Sequence, residues 1–422
     1  MIHKKSPRSP TAMKPFAAGL ALLIAANSSA SASSGRPTAP APGGLPPAPA
    51  MLAGAGLAGA PDAVRDAQRN ARAALRGNWQ DLMQGHAPML QEAAALPRAA
   101  RAGRLAHALY TLSGAIYANT AAQASLDHAA TLDPLRRALS SGRPMLFTDA
   151  GRRQTHWHPK SFEGLHESRL ESLLGGVLPV SEYWTLGAAV YGMRSKAIES
   201  YERATLDTVR GRGHGVLLGA RLGKTETGYL DLVAGYGRDR QEVTRNLSLG
   251  RGVHRIGAAP ELRLRQARLT AGRQWQPASR LALTPELGVA LGQGERSAFR
   301  EAGAGGWGLR AKGSSDTTAT LLAGLTAQYR FALAGLPMHA VGRLAWQHDL
   351  DRRDYRARGG FTGRPLAQAR SAQWDLPRGR LQTGVSLQAQ VSEALSLGLA
   401  YDAMLASGAR SQRVGLDLGY AF

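Results

Sequence analysis

The stretch Arg413-Val-Gly-Leu-Asp-Leu-Gly-Tyr-Ala-Phe422 constrains this chain more than any other. Val414, Leu416, Leu418, Tyr420 and Phe422 alternate with Gly415, Asp417, Gly419 and Ala421. In an extended backbone that period of two sends every large apolar group to one face. The apolar face wants hydrocarbon, while small residues and one carboxylate on the other suit a wet interior better than a packed core. A single strand of this kind also fits a soluble sandwich, so the class depends on whether the pattern repeats.

It repeats. Leu395, Leu397, Leu399 and Tyr401 face away from Ser396, Gly398, Ala400 and Asp402; Leu381, Thr383, Val385 and Leu387 face away from Gln382, Gly384, Ser386 and Gln388. The same alternation returns at Leu281, Leu283, Leu287, Val289 and Leu291, and at Leu321, Ala323, Leu325, Ala327 and Tyr329. Strand-length segments run from 145 to 422, about twelve in all, and an even number of antiparallel strands closes into a membrane barrel. The predicted fold class is therefore an all-β membrane barrel, a transmembrane β-barrel of about 12 antiparallel strands. Gln382, Ser386, Gln388, Asp402 and Asp417 are its predicted lumen-facing residues. No apolar run reaches the roughly 20 residues that a membrane helix needs.

Upstream the texture differs. Lys4, Lys5, Arg8 and Lys14 precede the apolar run 16–26, and Ala30-Ser-Ala32 closes it, which predicts a secretory signal peptide over 1–32 with cleavage after Ala32. Met13 offers an alternative start. Residues 33–60 are Ala, Pro, Gly and Ser in the main and cannot offset their chain entropy by burial, so a flexible segment is expected, followed by a short helix from Pro61 to about 75. Within 33–100 no domain-sized core is available. Residues 105–132 read as a helix with Leu105, Leu109, Leu112 and Ile116 on one stripe, then small and polar side chains until Pro134 ends it. Twelve strands about 4.8 Å apart and tilted by about 40° close to a cylinder roughly 24 Å across, whose side chains leave room for one helix of ~10–12 Å. The slim helix belongs inside that tube.

Specific stretches then carry a resemblance. Ala108-Leu-Tyr-Thr-Leu-Ser-Gly-Ala-Ile-Tyr-Ala118 looks like the pore-helix entry of the C-terminal translocator of type V autotransporters of Gram-negative bacteria. Gly342-Arg-Leu-Ala-Trp-Gln-His-Asp-Leu350, Gly359-Gly-Phe-Thr-Gly363 and Leu399-Ala-Tyr-Asp402 resemble later strands and connections of its pertactin-like and subtilase-type members. The resemblance implies a division into signal peptide (1–32), short passenger segment (33–100), pore-spanning linker helix (101–141) and barrel (142–422). It implies a pore helix carrying Leu112, Ser113, Gly114, Ile116, Asn119, Ala121 and Ala124, and an assembly signal at Tyr420 and Phe422. The implied function is export and anchoring of the chain's own N-terminal segment at the cell surface, with an adhesive or virulence role open. The implied partners are outer-membrane lipid, the barrel-assembly machinery, periplasmic chaperones, the Sec translocon and an unidentified surface ligand, for a monomer with no cofactor. Family members usually carry passengers of several hundred residues; here about seventy residues separate Ala32 from the pore helix, and no subtilase Asp, His or Ser motif precedes the barrel. No enzyme is expected. A barrel lipase or protease, or a simple porin-like channel, are the alternatives.

The formal charge of +22 raises nucleic acid as a partner, but the arginines are spread along strands and turns without an aromatic-interleaved motif, which excludes it; they fit a lumen, its rims or anionic headgroups instead. The absence of cysteine rules out disulfides and Cys-based zinc sites. His156, His158 and His166 are conceivable metal ligands without a fixed third partner, and no metal is expected. Asn119-Thr120 is where the resemblance would put passenger release by cyclisation of an asparagine side chain, although that reaction usually uses Asn-Asn. Ser113 and His107 lie on nearly opposite helix faces and form no catalytic pair. The glycine-rich stretches Gly211-Arg-Gly-His-Gly215 and Gly303-Ala-Gly-Gly-Trp-Gly308 read as turns.

Overall fold

The computed structural model describes residues 108, 110–157, 164–201, 204–247, 253–303, 308–351, 356–362, 364–372 and 377–422. The predicted signal peptide, the 33–60 segment, the helix near 61–75, His107 and His158 lie outside the described residues. Twelve strands form one continuous antiparallel path: β1 (Met145–Trp157), β2 (Gly164–Pro179), β3 (Trp184–Tyr201), β4 (Ala204–Lys224), β5 (Gly228–Leu247), β6 (Glu261–Gly272), β7 (Leu281–Arg296), β8 (Ser314–Leu333), β9 (Leu336–Asp349), β10 (Gly379–Gln390), β11 (Leu395–Ala406) and β12 (Ala409–Ala421). The path closes on itself, because β12 pairs with β1 in register from Met145↔Ala421 to Trp157↔Ala409. Closure leaves no edge, the condition for placing β-structure in hydrocarbon. Outward positions carry exposed apolar side chains such as Leu174, Val190, Leu218, Leu291, Leu344, Val385, Leu399 and Leu416.

The two ends differ. At the end holding Met145 and Ala421, connections are short, as at 180–183, 225–227, 334–335 and 391–394; at the other end the β7–β8 and β9–β10 connections are long. Short turns on the inner side of the membrane and long loops on the outer side are the rule for such barrels. The long connections build a second sheet from Phe299–Arg300, Leu309–Ala311, Arg356–Phe361 and Arg364–Ala372.

The lumen holds helix α1 (Ala115–Ala130), then α2 (Leu132–Ala138) and a 3-10 turn, Leu139–Ser141. Two expectations change here. Pro134 does not end the helix: the chain breaks at Thr131 instead, and Pro134 falls in the first turn of α2, where a backbone N–H would have no intrahelical acceptor. The upstream helix is interrupted at Gly114, whose φ of 72° is left-handed, between residues 110–113 and α1. A Cβ at Gly114 would also lie 2.6 Å from a Leu309 methyl group, so both backbone and space require glycine.

The stretch 211–215 is corrected as well, from a turn to the interior of β4. Its glycines face inward, and side chains there would collide with Met193, Ser195 and the Tyr191 ring. Gly237 on β5 likewise makes way for Tyr191 and His128 of α1. Glycine in these strands is spatial: it gives the helix its bore. At the loop end strands run past their apolar pattern: β4 begins at Ala204, although its outward apolar residues start only at Val216. Strand β6 ends at Gly272, and a separate short strand, Trp275–Ala278, follows it.

Candidate functional site: the occupied lumen

A helix inside a barrel needs polar partners for its polar atoms and apolar ones for the rest, and the lumen supplies both. At the turn end Leu132, Leu135, Ala138 and Leu139 pack with Phe147, Leu173, Val177, Leu217 and Val233 of β1, β2, β4 and β5. The tube is thus not hydrophilic throughout, contrary to the expectation of a polar helix in a polar tube. Gly187 and Gly219 admit this plug, since a Cβ at either would lie about 3 Å from Leu135 or Leu139 methyls.

Through the middle the contacts are ionic and hydrogen-bonded. Asp127 of α1 pairs with Arg169 of β2, both nearly fully buried, with Glu167 3.6 Å from the same guanidinium. His128 Nδ1 lies 2.5 Å from the Tyr191 hydroxyl, and Gln123 accepts from the Trp157 indole N–H. Wall side chains also reach the helix backbone: Gln241 donates to the Thr120 carbonyl (3.3 Å) and Arg268 to that of Ala129 (3.3 Å). Lower down, Arg268 pairs with Asp133 (2.5 Å), Arg136 with Glu286 (2.8 Å) and Arg137 with Asp149 (3.1 Å). Nearly every turn of the plug is tied to the wall.

At the loop end the plug meets a cluster around Glu301, which the β7–β8 connection carries inward. Glu301 accepts from Arg245 of β5 on both oxygens, from the Tyr117 hydroxyl (2.6 Å) and from the Leu309 N–H (2.5 Å). Arg245 also donates to the Thr111 carbonyl, and Phe299 packs against Tyr117 with ring centroids 4.1 Å apart. Each charge here is buried, so each requires its partners.

The predicted pore-helix residues are all in the lumen. Leu112 and Ile116 are fully buried; Ser113 caps the break by accepting from the Ala115 N–H (3.3 Å) and donating to the Tyr110 carbonyl (2.5 Å). The Asn119 amide donates to Glu199 (3.1 Å), which also accepts from the Tyr110 hydroxyl (2.6 Å). Ala121 and Ala124 pack on Leu262 and Leu264 of β6. Gln382, Ser386, Gln388, Asp402 and Asp417 occupy inward positions of β10–β12, but the structure brings the helices against β1–β7 instead. Gln382 and Asp402 line a cavity of about 120 Å³ between the plug and the far wall, together with Arg137, Arg343 and Arg413. Asp402 accepts from Arg413 (3.4 Å). Tyr420 and Phe422 are half or more exposed at the turn end.

Sequence reasoning missed Arg169, Glu199, Arg245 and Glu301. For Arg169 a signal existed, because Glu167, Arg169 and Glu171 are inward charges at period two on a strand whose other face is Ser168, Leu170 and Ser172. Glu301 lies in a connection and had none. His156 and His166 are cross-strand neighbours, Nδ1 to Nδ1 2.7 Å apart. Among the described residues no group of three His, Cys, Asp or Glu forms a metal site.

A family model described as the autotransporter beta-domain matches residues 151–402. The chain belongs to the autotransporter β-domain family. Its barrel is thereby a translocator domain of the outer membrane of Gram-negative bacteria, concerned with secretion of a passenger. Among curated proteins, the neisserial autotransporter lipoprotein NalP of Neisseria meningitidis is similar, 29% identical over 273 residues. That match covers 63% of this chain and only 23% of NalP, so the chain spans about a quarter of that relative's length. The solved translocator domain of NalP superposes with a TM-score of 0.60 at 17% identity, covering 72% of this chain and 99% of that one, and supports the fold.

Proposed function

We propose that this autotransporter β-domain carries the segment N-terminal to its own pore helix across the outer membrane and holds it at the cell surface, the helix remaining as the plug. The observation that carries this reading is the direction of the helix. β1 starts at the turn end, α2 packs there, and α1 runs up the bore until Tyr110 and Thr111 meet Glu199 and Arg245 near the loop ends of β3 and β5. The N-terminal end of the described helix therefore faces the outer side. We read the barrel as a non-enzymatic monomer: its buried charged side chains are engaged with one another and with the plug. A porin-like channel fits poorly with an occupied lumen. Export through the Sec translocon and insertion by the barrel-assembly machinery with periplasmic chaperones complete the proposal, and outer-membrane lipid is the surrounding partner.

Protease added to intact cells tests display: residues before about 105 should be removed while the barrel stays intact. Full protection of that segment, with the barrel correctly inserted, contradicts the proposal. Asn119 serves in this reading to seat the helix through Glu199, and the expected mature protein is continuous across Asn119-Thr120. Mass spectrometry detecting a barrel fragment that begins at Thr120 would instead assign release by side-chain cyclisation.

A further inference from the structure

We propose that the outward wall of β3–β6 near the loop end binds phosphate-bearing lipid headgroups of the outer leaflet. Arg194 of β3 lies directly opposite Arg212 of β4, and Arg212 directly opposite Arg240 of β5. All three are exposed, on the face that carries Val190, Val216 and Leu218 lower down. Side chains directly opposite on adjacent strands have Cβ atoms roughly 4.5–5.5 Å apart, and like charges so placed repel. Among the described residues none of the three arginines has an ion pair or side-chain hydrogen bond. The neighbouring rows add Lys196 opposite Arg210, and Arg238 opposite Arg263. The carboxylates on this face are fewer: Glu242 lies opposite Arg210, Glu261 lies opposite Arg240 and 3.2 Å from Arg263, and Glu295 lies 3.2 Å from Arg265.

Height in the membrane decides what such a row meets. Trp184, Leu222 and Leu230 form an outward row at the turn end, in register with one another, and the arginine row lies ten residues further along each strand. Ten residues at ~3.4 Å each, on strands tilted by about 40°, rise roughly 26 Å, close to the ~25 Å height of an apolar band. The guanidinium groups thus reach the polar boundary of the leaflet on the loop side. On the opposite wall Arg410 of β12, ten residues from Tyr420, stands at that height without an arginine beside it on β11. At the same ten-residue step the opposite wall has Trp346 above Leu336 and Leu405 above Leu395, apolar groups that are 47% and 52% exposed.

Phosphate is the anion this geometry fits. A guanidinium binds phosphate oxygens bidentately, and three of them across adjacent strands span roughly 10 Å, wider than one phosphate group. A headgroup with two phosphates spans that row and removes the mutual repulsion of the arginines. The surface is independent of what the barrel carries through its lumen.

The test uses the full chain refolded in neutral micelles, titrated with diphosphoryl lipid A and, separately, with inorganic phosphate, with bound lipid read by native mass spectrometry. Lipid binding should weaken at least tenfold in Arg194→Gln/Arg212→Gln/Arg240→Gln and about threefold in the single variant Arg212→Gln, which carries the test if the triple variant is not recovered folded. Arg410→Gln, on the outward face of β12, should bind as the parent does. Inorganic phosphate at equal concentration should not displace the lipid. Unchanged lipid binding in the arginine variants, equal weakening by Arg410→Gln, or displacement by inorganic phosphate would each overturn the proposal.

Discussion

Replacing Asp127 by Ala should unseat the pore helix by an amount that the structure allows to be worked out. Asp127 is the only helix carboxylate within ion-pair distance of Arg169 among the described residues, and Arg169 is 1% exposed on the lumen wall. With the helix seated, Asp127→Ala leaves that guanidinium buried; with the helix out, water solvates it. Removing one partner of a buried pair costs about 3–5 kcal/mol, and Glu167, 3.6 Å away, can recover part, so about 3 kcal/mol is expected. That corresponds to a rise of about 10²-fold in the unseated fraction, at a factor of ten per ~1.4 kcal/mol. Because the chain has no cysteine, Ala121→Cys places a single thiol at a position 2% exposed, under Leu262 and Leu264. Its labelling by a water-soluble maleimide reports unseating. The Asp127→Ala background should label about 10²-fold faster, and Asp127→Leu with Arg169→Met should return to within about tenfold of the parent, since apolar replacement of both partners restores a satisfied interior. Labelling of Asp127→Ala at the parental rate would show that this pair does not hold the helix.

Three further outcomes follow from the same contacts. Ala124→Glu sets a charge against Leu262 and Leu264 without a partner, a loss of hydration costing several kcal/mol, so surface display should fall; normal display would show that the segment does not pass or rest against β6. Phe422→Ser removes a ring that is 72% exposed beside Tyr420, and is expected to lower outer-membrane insertion and leave periplasmic material, measured by fractionation. Gly237→Leu should block the bore where Tyr191 meets His128, giving a folded, heat-modifiable barrel whose Ala121→Cys thiol labels readily; continued protection would mean that this glycine is not there for space.

The barrel was legible because membrane and lumen impose opposite demands on alternate residues, and β10, β11 and β12 meet them almost without exception. Legibility failed where the outward face leaves hydrocarbon. There β4 reads Thr208, Arg210, Arg212 and His214, so the apolar alternation stops although the hydrogen-bonded ladder continues. The same region misled the reading of Gly211–Gly215, because a turn and a bore-forming strand both call for residues without side chains. For the site, the small residues of α1 announced a helix that something surrounds. They did not announce which wall it leans on, since Gln382 and Asp402 are as polar as Gln241 and Glu199. What separates the two walls is that Arg169, Tyr191, Arg245 and Arg268 reach the helical segment, whereas Arg380 and Arg413 are paired with Asp349, Asp149 and Glu171 of the wall itself; a loop glutamate, whose position depends on how the β7–β8 connection folds, adds to the first set.

Conductance across a planar bilayer tests the plugged-translocator account most directly. Removing only α1 would leave Leu132, Leu135 and Leu139 sealing the turn end, so the variant to compare is a chain starting at Gly142, which keeps all twelve strands. The full chain should conduct little, since the plug leaves cavities such as the one of about 120 Å³ beside it and no open bore, and the shortened chain should fold as a heat-modifiable barrel with a stable, large conductance. Equal conductance with and without residues before Gly142, in two chains shown to be inserted, would contradict it.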